Sequence, residues 1–410
     1  MEKQQTAKPV IRFPEFTDHW NNTKLSELLK EAKKRNGDLK YSKDEVLSVS
    51  GEMGIVNQIE HLGRSYAGVS VHQYHVVEVG DIVYTKSPLK ANPYGIIKQN
   101  KKKAGIVSTL YAVYNVKEEN AHGEFIEHYF SLDENTNRYL RPLVKKGAKN
   151  DMKISNAYVL HDKIFVPSVA EQKKITLFLN TLDKKIEQLK QKKSLLVEYK
   201  KGIMQKIFAQ ELRFKDENGN KFPDWEKKKL SQVAKIYDGT HQTPNYLESG
   251  IPFYSVEHVT ANNFDTTKFV SEEVFDKENK RVKLEKGDIL MTRIGDIGTS
   301  RLIDWDVNAS FYVSLALIKQ SDKIISKYLN QYISTREFQS ELWKRTIHVA
   351  FPQKINLGEI GECLVMIPYF KEQEKIAAFL STIDDKITRT QTQIEQTQLY
   401  KKGLLQKMFV

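Results

Sequence analysis

The sequence predicts an α+β protein made by tandem duplication. We expect two mixed α/β domains separated by two long helices, which pack as an antiparallel coiled coil with approximate two-fold symmetry. Three observations predict this fold. Residues 166–209 and 367–410 align without a gap at an offset of 201 and share 18 of 44 positions. Both segments have the apolar spacing of long helices, and short runs typical of β-strands precede each of them.

The repeated segments carry a heptad pattern of apolar residues. In the first copy these residues recur every seven positions, with a companion row four positions later: Ile175, Leu182, Leu189, Leu196 and Ile203, then Leu179, Ile186 and Ile207. A pattern sustained over about five heptads predicts a coiled coil rather than an ordinary amphipathic helix. A helix over residues 171–208 would be about 57 Å long at 1.5 Å per residue. Because a lone exposed helix of this length would be marginal, we expect the two helices to pair.

The segments between the helices form a more diverged pair. Trp20 corresponds to Trp225, and Gly80-Asp81-Ile82 corresponds to Gly287-Asp288-Ile289, at offsets that drift by a few residues. Runs rich in β-branched and aromatic residues predict strands at 45–50, 75–79, 81–85, 105–116, 251–256, 288–292 and 311–318. Helices are predicted around 124–132 and 326–345. The chain is therefore predicted to divide into segments 1–165, 166–211, 212–366 and 367–410.

The composition is that of a folded protein, with 40% hydrophobic and 28% charged residues. Cys363 is the only cysteine in the chain, so an internal disulfide is excluded and a reducing cytoplasm is the expected setting. The sequence has no apolar run long enough to span a bilayer, and residues 1–10 lack the apolar core of a signal peptide. We therefore predict a cytoplasmic protein that has no membrane partner.

The basic charge is concentrated on the repeated segments. The chain has a net charge of +12 and an isoelectric point near 9.2, which favours a polyanionic partner. Ten lysines against four acidic residues give residues 166–209 a net charge of +6, and seven basic against five acidic residues give 367–410 a net of +2. A basic helix can also be no more than a solvated face, so charge alone leaves nucleic-acid binding open.

Three motifs carry a resemblance to a known family. The first is the run Pro-x3-Glu-Gln-x-Lys-Ile-x2-Phe-Leu, which occurs at 167–179 and again at 368–380. The second is Phe-Pro-Glu-Phe at 13–16 with Phe-Pro-Asp-Trp at 222–225, and the third is Gly-Thr-His-Gln-Thr-Pro at 239–244. In these motifs the chain resembles the specificity subunit of type I restriction-modification systems, and the resemblance covers nearly the whole chain.

The resemblance implies that segments 1–165 and 212–366 are target-recognition domains, each reading one half of a bipartite site in double-stranded DNA. It implies that the helices set the gap between the half-sites and dock two methyltransferase subunits, with restriction and motor subunits joining the complex. The chain itself would be non-catalytic and would bind no cofactor. S-adenosylmethionine, ATP and Mg²⁺ are expected on the partner subunits.

Base readout in the major groove needs polar side chains on loops. The predicted DNA-binding residues of the first domain are Arg35, Asn36, Thr85, Lys86, Ser87, Lys149, Asn150 and Lys153. Those of the second domain are Thr240, His241, Gln242, Thr292, Arg293, His348 and Lys354. Phe178 and Phe379 lie on a helix face outside the heptad rows, so we predict that they bind a partner subunit.

Motifs that would make the chain an enzyme are incomplete. Asn92-Pro93-Tyr94 resembles the adenine-binding loop of methyltransferases but lacks its second proline, and Gly295-Asp296-Ile297-Gly298 lacks the Gly-Lys-Ser/Thr ending of an ATP loop. The ten histidines show no paired metal-ligand spacing, so no metal site is predicted. Two alternatives stay open: a coiled-coil assembly scaffold without DNA contact, and an enzyme that acts alone.

Overall fold

The computed structural model describes residues 6–68, 70–88, 92–146 and 152–410. Its contacts divide the chain into two compact units. The first unit contains residues 1–190 and 392–410, and the second unit contains residues 191–391. Each long helix contributes one end to each unit. This grouping differs from the four segments predicted along the chain, whose boundaries stay a prediction.

The first unit is built from short strands and helices. Its strands are β1 (Thr6–Ala7), β2 (Trp20–Lys24), β3 (Leu29–Glu31), β4 (Leu47–Ser50), β5 (Gly54–Asn57), β6 (His75–Val77), β7 (Ile82–Thr85), β8 (Ile96–Gln99), β9 (Gly105–Val107), β10 (Tyr111–Val116), β11 (Lys145–Lys146), β12 (Met152–Lys153) and β13 (Lys163–Val166). Its helices are α1 (Leu25–Leu28), α2 (Gln58–Leu62), α3 (Gly123–Tyr129), α4 (Asp133–Leu140), α5 (Asn156–Val159) and the start of α6 (Val169–Phe208), with a 3₁₀ turn at Lys43–Glu45.

The second unit repeats this kind of architecture. Its strands are β14 (Glu226–Lys229), β15 (Ile236–Asp238), β16 (Ile251–Tyr254), β17 (Lys268–Val270), β18 (Ile289–Ile294), β19 (Asp296–Leu302), β20 (Ser310–Phe311), β21 (Leu315–Ile318) and β22 (Leu364–Ile367). Its helices are α7 (Leu230–Val233), α8 (Val256–Ala261), α9 (Glu272–Asn279), α10 (Ser326–Ile333), α11 (Arg336–Arg345), α12 (Leu357–Gly361) and α13 (Phe370–Met408), whose last turns belong to the first unit.

Equivalent sheets occur in the two units. The main sheet has the strand order β3-β10-β7-β8 in the first unit and β15-β21-β18-β19 in the second, and all neighbouring strands in both are antiparallel. The pair β2–β13 of the first unit corresponds to β14–β22 of the second. The repeated strand order confirms the prediction of two related mixed α/β domains. It also confirms the strands predicted within residues 81–85 and 288–292.

The core of each unit includes helix ends as well as sheet. In the first unit Trp20 and Phe125 pack with Phe409, which follows the end of α13. In the second unit Trp225 and Tyr328 pack with Phe208, the last residue of α6. Each of these aromatic side chains buries a large apolar area. The ends of the long helices are therefore part of the domain cores.

Within each unit the two long helices run antiparallel. In the first unit Lys401 of α13 pairs with Asp183 of α6 at 2.5 Å. In the second unit Lys200 pairs with Asp384 at 2.6 Å, and Lys193 donates to Gln391 at 2.8 Å. Residue numbers rise along one helix as they fall along the other, so the pairing is antiparallel, as predicted.

Burial along α6 follows the heptad rows. Ile175, Leu179, Ile186 and Ile207 are buried, whereas Leu182, Leu189, Leu196 and Ile203 are half-buried. Two of these half-buried residues, Leu189 and Leu196, lie in the middle of the helix, where the two copies lose sequence identity. Leu182 and Ile203 instead pack against the domain cores of the first and second units, respectively.

One predicted helix is two helices. The stretch 326–345 contains α10 and α11, which meet at Ser334–Thr335. The Thr335 side chain accepts a hydrogen bond from the backbone N–H of Phe338 and so caps the second helix. The helical stretch predicted at 326–345 is thus confirmed, and the capping side chain of Thr335 divides it into two helices.

Candidate nucleic-acid interface

The first part of the interface in the second unit is the loop after β15. Thr240 N–H donates to Phe311 O at 3.0 Å, and Val313 N–H donates to Thr240 O at 3.0 Å. A Cβ atom on Gly239 would lie 2.0 Å from Phe311 O, so only glycine lets the chain run this close to its neighbour. The loop then turns outward and exposes His241 and Gln242.

Asp238 anchors this loop. Its carboxylate accepts hydrogen bonds from Arg281 Nη1 at 2.6 Å and His241 Nε2 at 2.9 Å, and it lies 3.9 Å from Arg293 Nη1. Burial alone raises the pKa of Asp238, but the hydrogen bonds from Arg281 and His241 outweigh burial and leave the pKa below its usual value. The buried carboxylate thus stays ionised at neutral pH and orients the imidazole of His241.

Arg293 joins three segments of the second unit. Its Nε donates to Ile355 O at 3.1 Å and its Nη1 donates to Val313 O at 2.7 Å. The side chain is buried and holds neighbouring loops together, and its predicted contact with DNA stays a prediction. Sequence could not predict this, because the two acceptors are backbone carbonyls far along the chain.

Thr292 and Thr240 are also buried. The Thr292 hydroxyl donates to Asp296 Oδ2 at 2.8 Å and accepts from Thr299 N–H at 3.0 Å. The buried Oγ1 of Thr240 meets no hydrogen-bond partner among the described residues. Neither hydroxyl reaches solvent in the free chain, and the predicted contact of both threonines with DNA stays a prediction.

A hairpin at residues 347–354 completes the interface of the second unit. Ile347 N–H donates to Lys354 O at 2.8 Å and closes the hairpin. Gly295 N–H donates to Gln353 O at 2.8 Å, which fixes the hairpin beside the end of β18. His348 and Lys354 are both exposed. The structure therefore brings loop 240–243, the end of β18 and hairpin 347–354 to one edge of the main sheet.

The first unit has an equivalent site around His75. Arg35 forms a β-bridge with His75, and its Nη1 donates to Gln73 O at 3.0 Å. Burial, reinforced by the charges of Arg35 and Lys86, lowers the pKa of His75 to about 4, so its ring is neutral at pH 7. Arg35 and Ser87 are exposed and Lys86 is half-buried. His75 was missed in the sequence, where it appears only as one more residue of a β-prone run.

Two predicted readers of the first unit are structural residues. Asn36 is buried, donates to Tyr41 O at 2.8 Å and accepts from Tyr41 N–H at 3.0 Å. Thr85 is 4% exposed at the end of β7. The amide of Asn36 bonds to the loop that it closes and Thr85 faces the interior, and the predicted DNA contact of both stays a prediction.

The last loop of the first unit matches the hairpin of the second. Lys145 pairs with Lys153 across β11 and β12, just as Ile347 bridges to Lys354. Lys153 is exposed, and its predicted contact with DNA stays a prediction. Lys149 and Asn150, which were predicted to bind DNA, lie outside the described residues.

Phe178 and Phe379 have partners within their own units. The ring of Phe178 meets Phe13 edge-on with centroids 5.9 Å apart, and Phe379 meets Phe214 in the same way at 5.7 Å. Both side chains are half-buried. This packing corrects the expectation of a free face at these residues, and their role in binding a partner subunit stays a prediction.

Most of the second unit matches a known sequence family. Residues 223–398, which include loop 240–243 and hairpin 347–354, match the family described as the type I restriction modification DNA specificity domain. The chain is similar in sequence to type I specificity subunits. It is similar to the MjaVIII specificity subunit of Methanocaldococcus jannaschii, with 28% identity over 59% of this chain and 60% of the relative. It is also similar to the EcoBI specificity subunit of Escherichia coli, with 24% identity over 58% of this chain and 55% of the relative.

The alignments thus span about 60% or less of these two relatives' own lengths. The similarity in fold to a solved structure extends over more of the chain than these sequence alignments do. The crystal structure of a type I restriction-modification S subunit from M. genitalium superposes with a TM-score of 0.59 and 15% identity, over 98% of this chain and 99% of the other. This likeness supports the fold of strands, short helices and two long helices.

Within the described ranges, no three His, Cys, Asp or Glu side chains are grouped to hold a metal ion. The expectation that cofactors sit on partner subunits stays a prediction. No helix among the residues the structure covers is long and apolar enough to cross a membrane.

Proposed function

We propose that the chain is the sequence-reading subunit of a type I restriction-modification complex and that each unit reads one half of a bipartite DNA site. The observation that carries the proposal is the convergence of three separate segments of the second unit at one sheet edge, within the matched specificity domain. The exposed Arg35 and the half-buried Lys86, whose charges both act on His75 in the first unit, support a second reader of the same kind.

The exposed residues fit the chemistry of base and phosphate recognition. Gln242 can donate to and accept from adenine in the major groove, and Arg35 can donate twice to guanine. Lys153 and Lys354 carry point charges suited to phosphate oxygens. The buried residues Asn36 and Arg293 contribute indirectly, because they hold in place the loops that present these side chains.

The remaining parts of the proposal concern partners. Methyltransferase subunits would dock on the long helices, whose exposed apolar residues include Leu177, Leu195 and Leu399. Catalysis, with S-adenosylmethionine, ATP and Mg²⁺, would belong to the partner subunits, with restriction and motor subunits completing the complex. The chain itself would be non-catalytic.

Methylation mapping tests this function directly. A host that carries the chain with its methyltransferase partner should show methylated adenines at one interrupted sequence. Exchange of residues 1–165 for the corresponding segment of another specificity subunit should change one half of that sequence and leave the other. An unchanged methylation pattern after the exchange would contradict the proposal.

Salt dependence separates this function from an assembly scaffold. A DNA reader releases counterions, so its log affinity falls linearly with log salt and is higher for the mapped site than for a scrambled duplex. A scaffold without DNA contact would form the complex with its partners and show neither property. Incubation of the pure chain with DNA and S-adenosylmethionine or ATP should yield no turnover.

A further inference from the structure

The tip of hairpin 347–354 carries apolar side chains into solvent. Phe351 is 103% exposed and Val349 is 96% exposed. Trp343, at the end of α11, is 67% exposed and packs on the ring of His348, with centroids 4.9 Å apart. Fully exposed apolar side chains grouped at one projection mark an interaction site more often than single exposed residues do.

The hairpin lies beside the candidate interface. Its base is fixed to the end of β18 by Gly295 N–H, which donates to Gln353 O, and by Ile355 N–H, which donates to Arg293 O at 3.0 Å. Arg293 in turn donates to Val313 O, whose residue also contacts Thr240 through the backbone. The apolar tip therefore projects from the same edge that exposes His241 and Gln242.

The charges around the tip are cationic. Residues 342–358 contain three cations, Lys344, Arg345 and Lys354, and no acidic residue. Glu341, which precedes this stretch, is paired with Lys344 at 3.2 Å and with Arg345 at 3.3 Å. An apolar tip flanked by cations fits double-stranded DNA, because its stacked bases are apolar and its phosphates are anionic.

We propose that Phe351, supported by Val349, inserts between two base pairs of the half-site read by the second unit. This inference rests on the proposed function. Apolar side chains such as Phe and Pro act as wedges that partly unstack a base step and bend the duplex. The unstacked bases regain contact with the aromatic ring, while Lys354 and neighbouring cations meet the phosphates on either side.

Two features favour DNA over a protein partner. A stable protein interface buries roughly 800 Å² on each side, far more than two side chains at a hairpin tip provide. The polar residues on the same hairpin also lie on the edge proposed to face bases. The equivalent stretch of the first unit, residues 147–151, reads Gly-Ala-Lys-Asn-Asp and has no aromatic residue. We therefore expect insertion in one half-site only.

The test uses the complex of the full chain with its methyltransferase subunits on a duplex of the mapped site. Single 2-aminopurine substitutions scan each base step of both half-sites, and permanganate probes unstacked thymines. The variants are Phe351→Ala and Phe351→Leu, which keeps an apolar wedge. Val79→Ala is the matched control, because Val79 is an exposed aliphatic residue on a different loop, in the first unit.

We expect one step in the second unit's half-site to show raised fluorescence and permanganate reactivity. Phe351→Ala should abolish both signals and weaken specific binding about 10- to 100-fold, in line with the energy of stacking one base on an aromatic ring. Phe351→Leu should retain most of the unstacking, and Val79→Ala should change nothing. The base that is flipped out for methylation should give its own fluorescence or permanganate signal. That signal should persist in all variants when the protein is saturating, because it does not depend on Phe351.

Two outcomes would overturn the insertion while leaving the proposed function in place. The parent complex could bind specifically without any unstacked step in that half-site. Alternatively, the unstacked step could persist in Phe351→Ala. Loss of methyltransferase assembly in Phe351→Ala without DNA would assign the tip to a protein contact instead. Absence of any sequence-specific binding by the parent complex would contradict the proposed function itself.

Discussion

Arg12 and Glu171, which lie 159 residues apart, form a two-bonded ion pair in the first unit, with Nε–Oε1 at 2.7 Å and Nη2–Oε2 at 2.6 Å. Trp20 Nε1 donates to the same carboxylate at 3.3 Å. The second unit repeats the arrangement with Arg213, Trp225 and Glu372, where Arg213 Nη2 lies 2.8 Å from the carboxylate and Trp225 Nε1 lies 3.0 Å away. The repeated glutamate therefore attaches each domain to the start of its helix.

The segments that carry these arginines also have equivalent positions. Leu212 N–H donates to Lys206 O at 3.0 Å just after α6 ends. Ile11 N–H donates to Lys407 O at 2.9 Å near the end of α13, although the two residues are at opposite ends of the chain. Residues 212–214 come shortly after α6 along the chain. Residues 11–13 occupy the equivalent position after α13, although they belong to the opposite end of the chain.

Removal of the buried glutamate should destabilise the first unit. Glu171→Ala leaves the guanidinium of Arg12 buried without its counterion, and breaking a buried pair in this way typically costs about 3–5 kcal/mol. Urea unfolding followed by circular dichroism measures the loss. Glu15→Ala is the control, because Glu15 and Lys174 form an ion pair in which both side chains are about half exposed. A loss below about 1 kcal/mol in Glu171→Ala would contradict the assigned role.

Reversal of charges should report on helix pairing in the first unit. Lys401→Asp alone places two carboxylates together at Asp183 and should destabilise by about 1 kcal/mol, whereas adding Asp183→Lys should recover most of that loss. A double-mutant cycle from thermal or urea unfolding measures the coupling. Additive losses in the double variant would show that the 2.5 Å pair does not stabilise the helix contact.

Protonation of His128 should weaken the first unit in mild acid. Burial, together with the nearby charge of Lys401, lowers the pKa of His128 to about 4, although a hydrogen bond with Asn180 partly opposes the shift. The unfolded chain therefore binds a proton near pH 6.5, before the folded chain does. Stability contributed by neutral His128 is complete above pH 6.5 and falls by about 1.4 kcal/mol per pH unit as the pH drops towards 4.

Unfolding measurements from pH 7 to pH 4 check this contribution. The slope should be shallower in His128→Gln than in the parent chain, and unchanged in His161→Gln, since His161 is exposed. Equal slopes in all three proteins would show that His128 is not held neutral by its surroundings.

Lys354 should contribute to DNA affinity without regard to sequence. If it contacts one phosphate, Lys354→Ala should weaken binding to specific and scrambled duplexes alike and reduce the slope of log affinity against log salt by about 0.9. Lys327→Ala is the control, because this exposed lysine lies on α10, which carries none of the candidate residues. A sequence-dependent loss in Lys354→Ala would instead indicate a base contact.

Prediction from sequence was most accurate where the signal is local. The strands at 82–85 and 289–294 and the pairing of the long helices followed from residue type and spacing. The arginine pair was overlooked, although Arg12-Phe13 and Arg213-Phe214 stand at the same offset of 201 as the helix repeat. That shared offset was the available signal.

Prediction of individual site residues was weaker. Asn36, Thr292 and Arg293 were assigned to the surface because polar side chains in loops usually face solvent. In the structure they bond to loop and strand atoms and are buried. Residue type cannot distinguish a side chain that reads DNA from one that holds the loop, because both need the same hydrogen-bonding groups.

The sequence by itself determined the duplication, the paired helices and the β-rich domains, since each depends on periodicity or on neighbouring residues. Only the tertiary structure decided which polar groups remain exposed and which segments share an edge. Arg293 finds an acceptor 62 residues away at Ile355, and Glu171 finds its counterion 159 residues away at Arg12. Partners that lie so far apart in the sequence are brought together by the packing of the whole unit, so no local pattern predicts them.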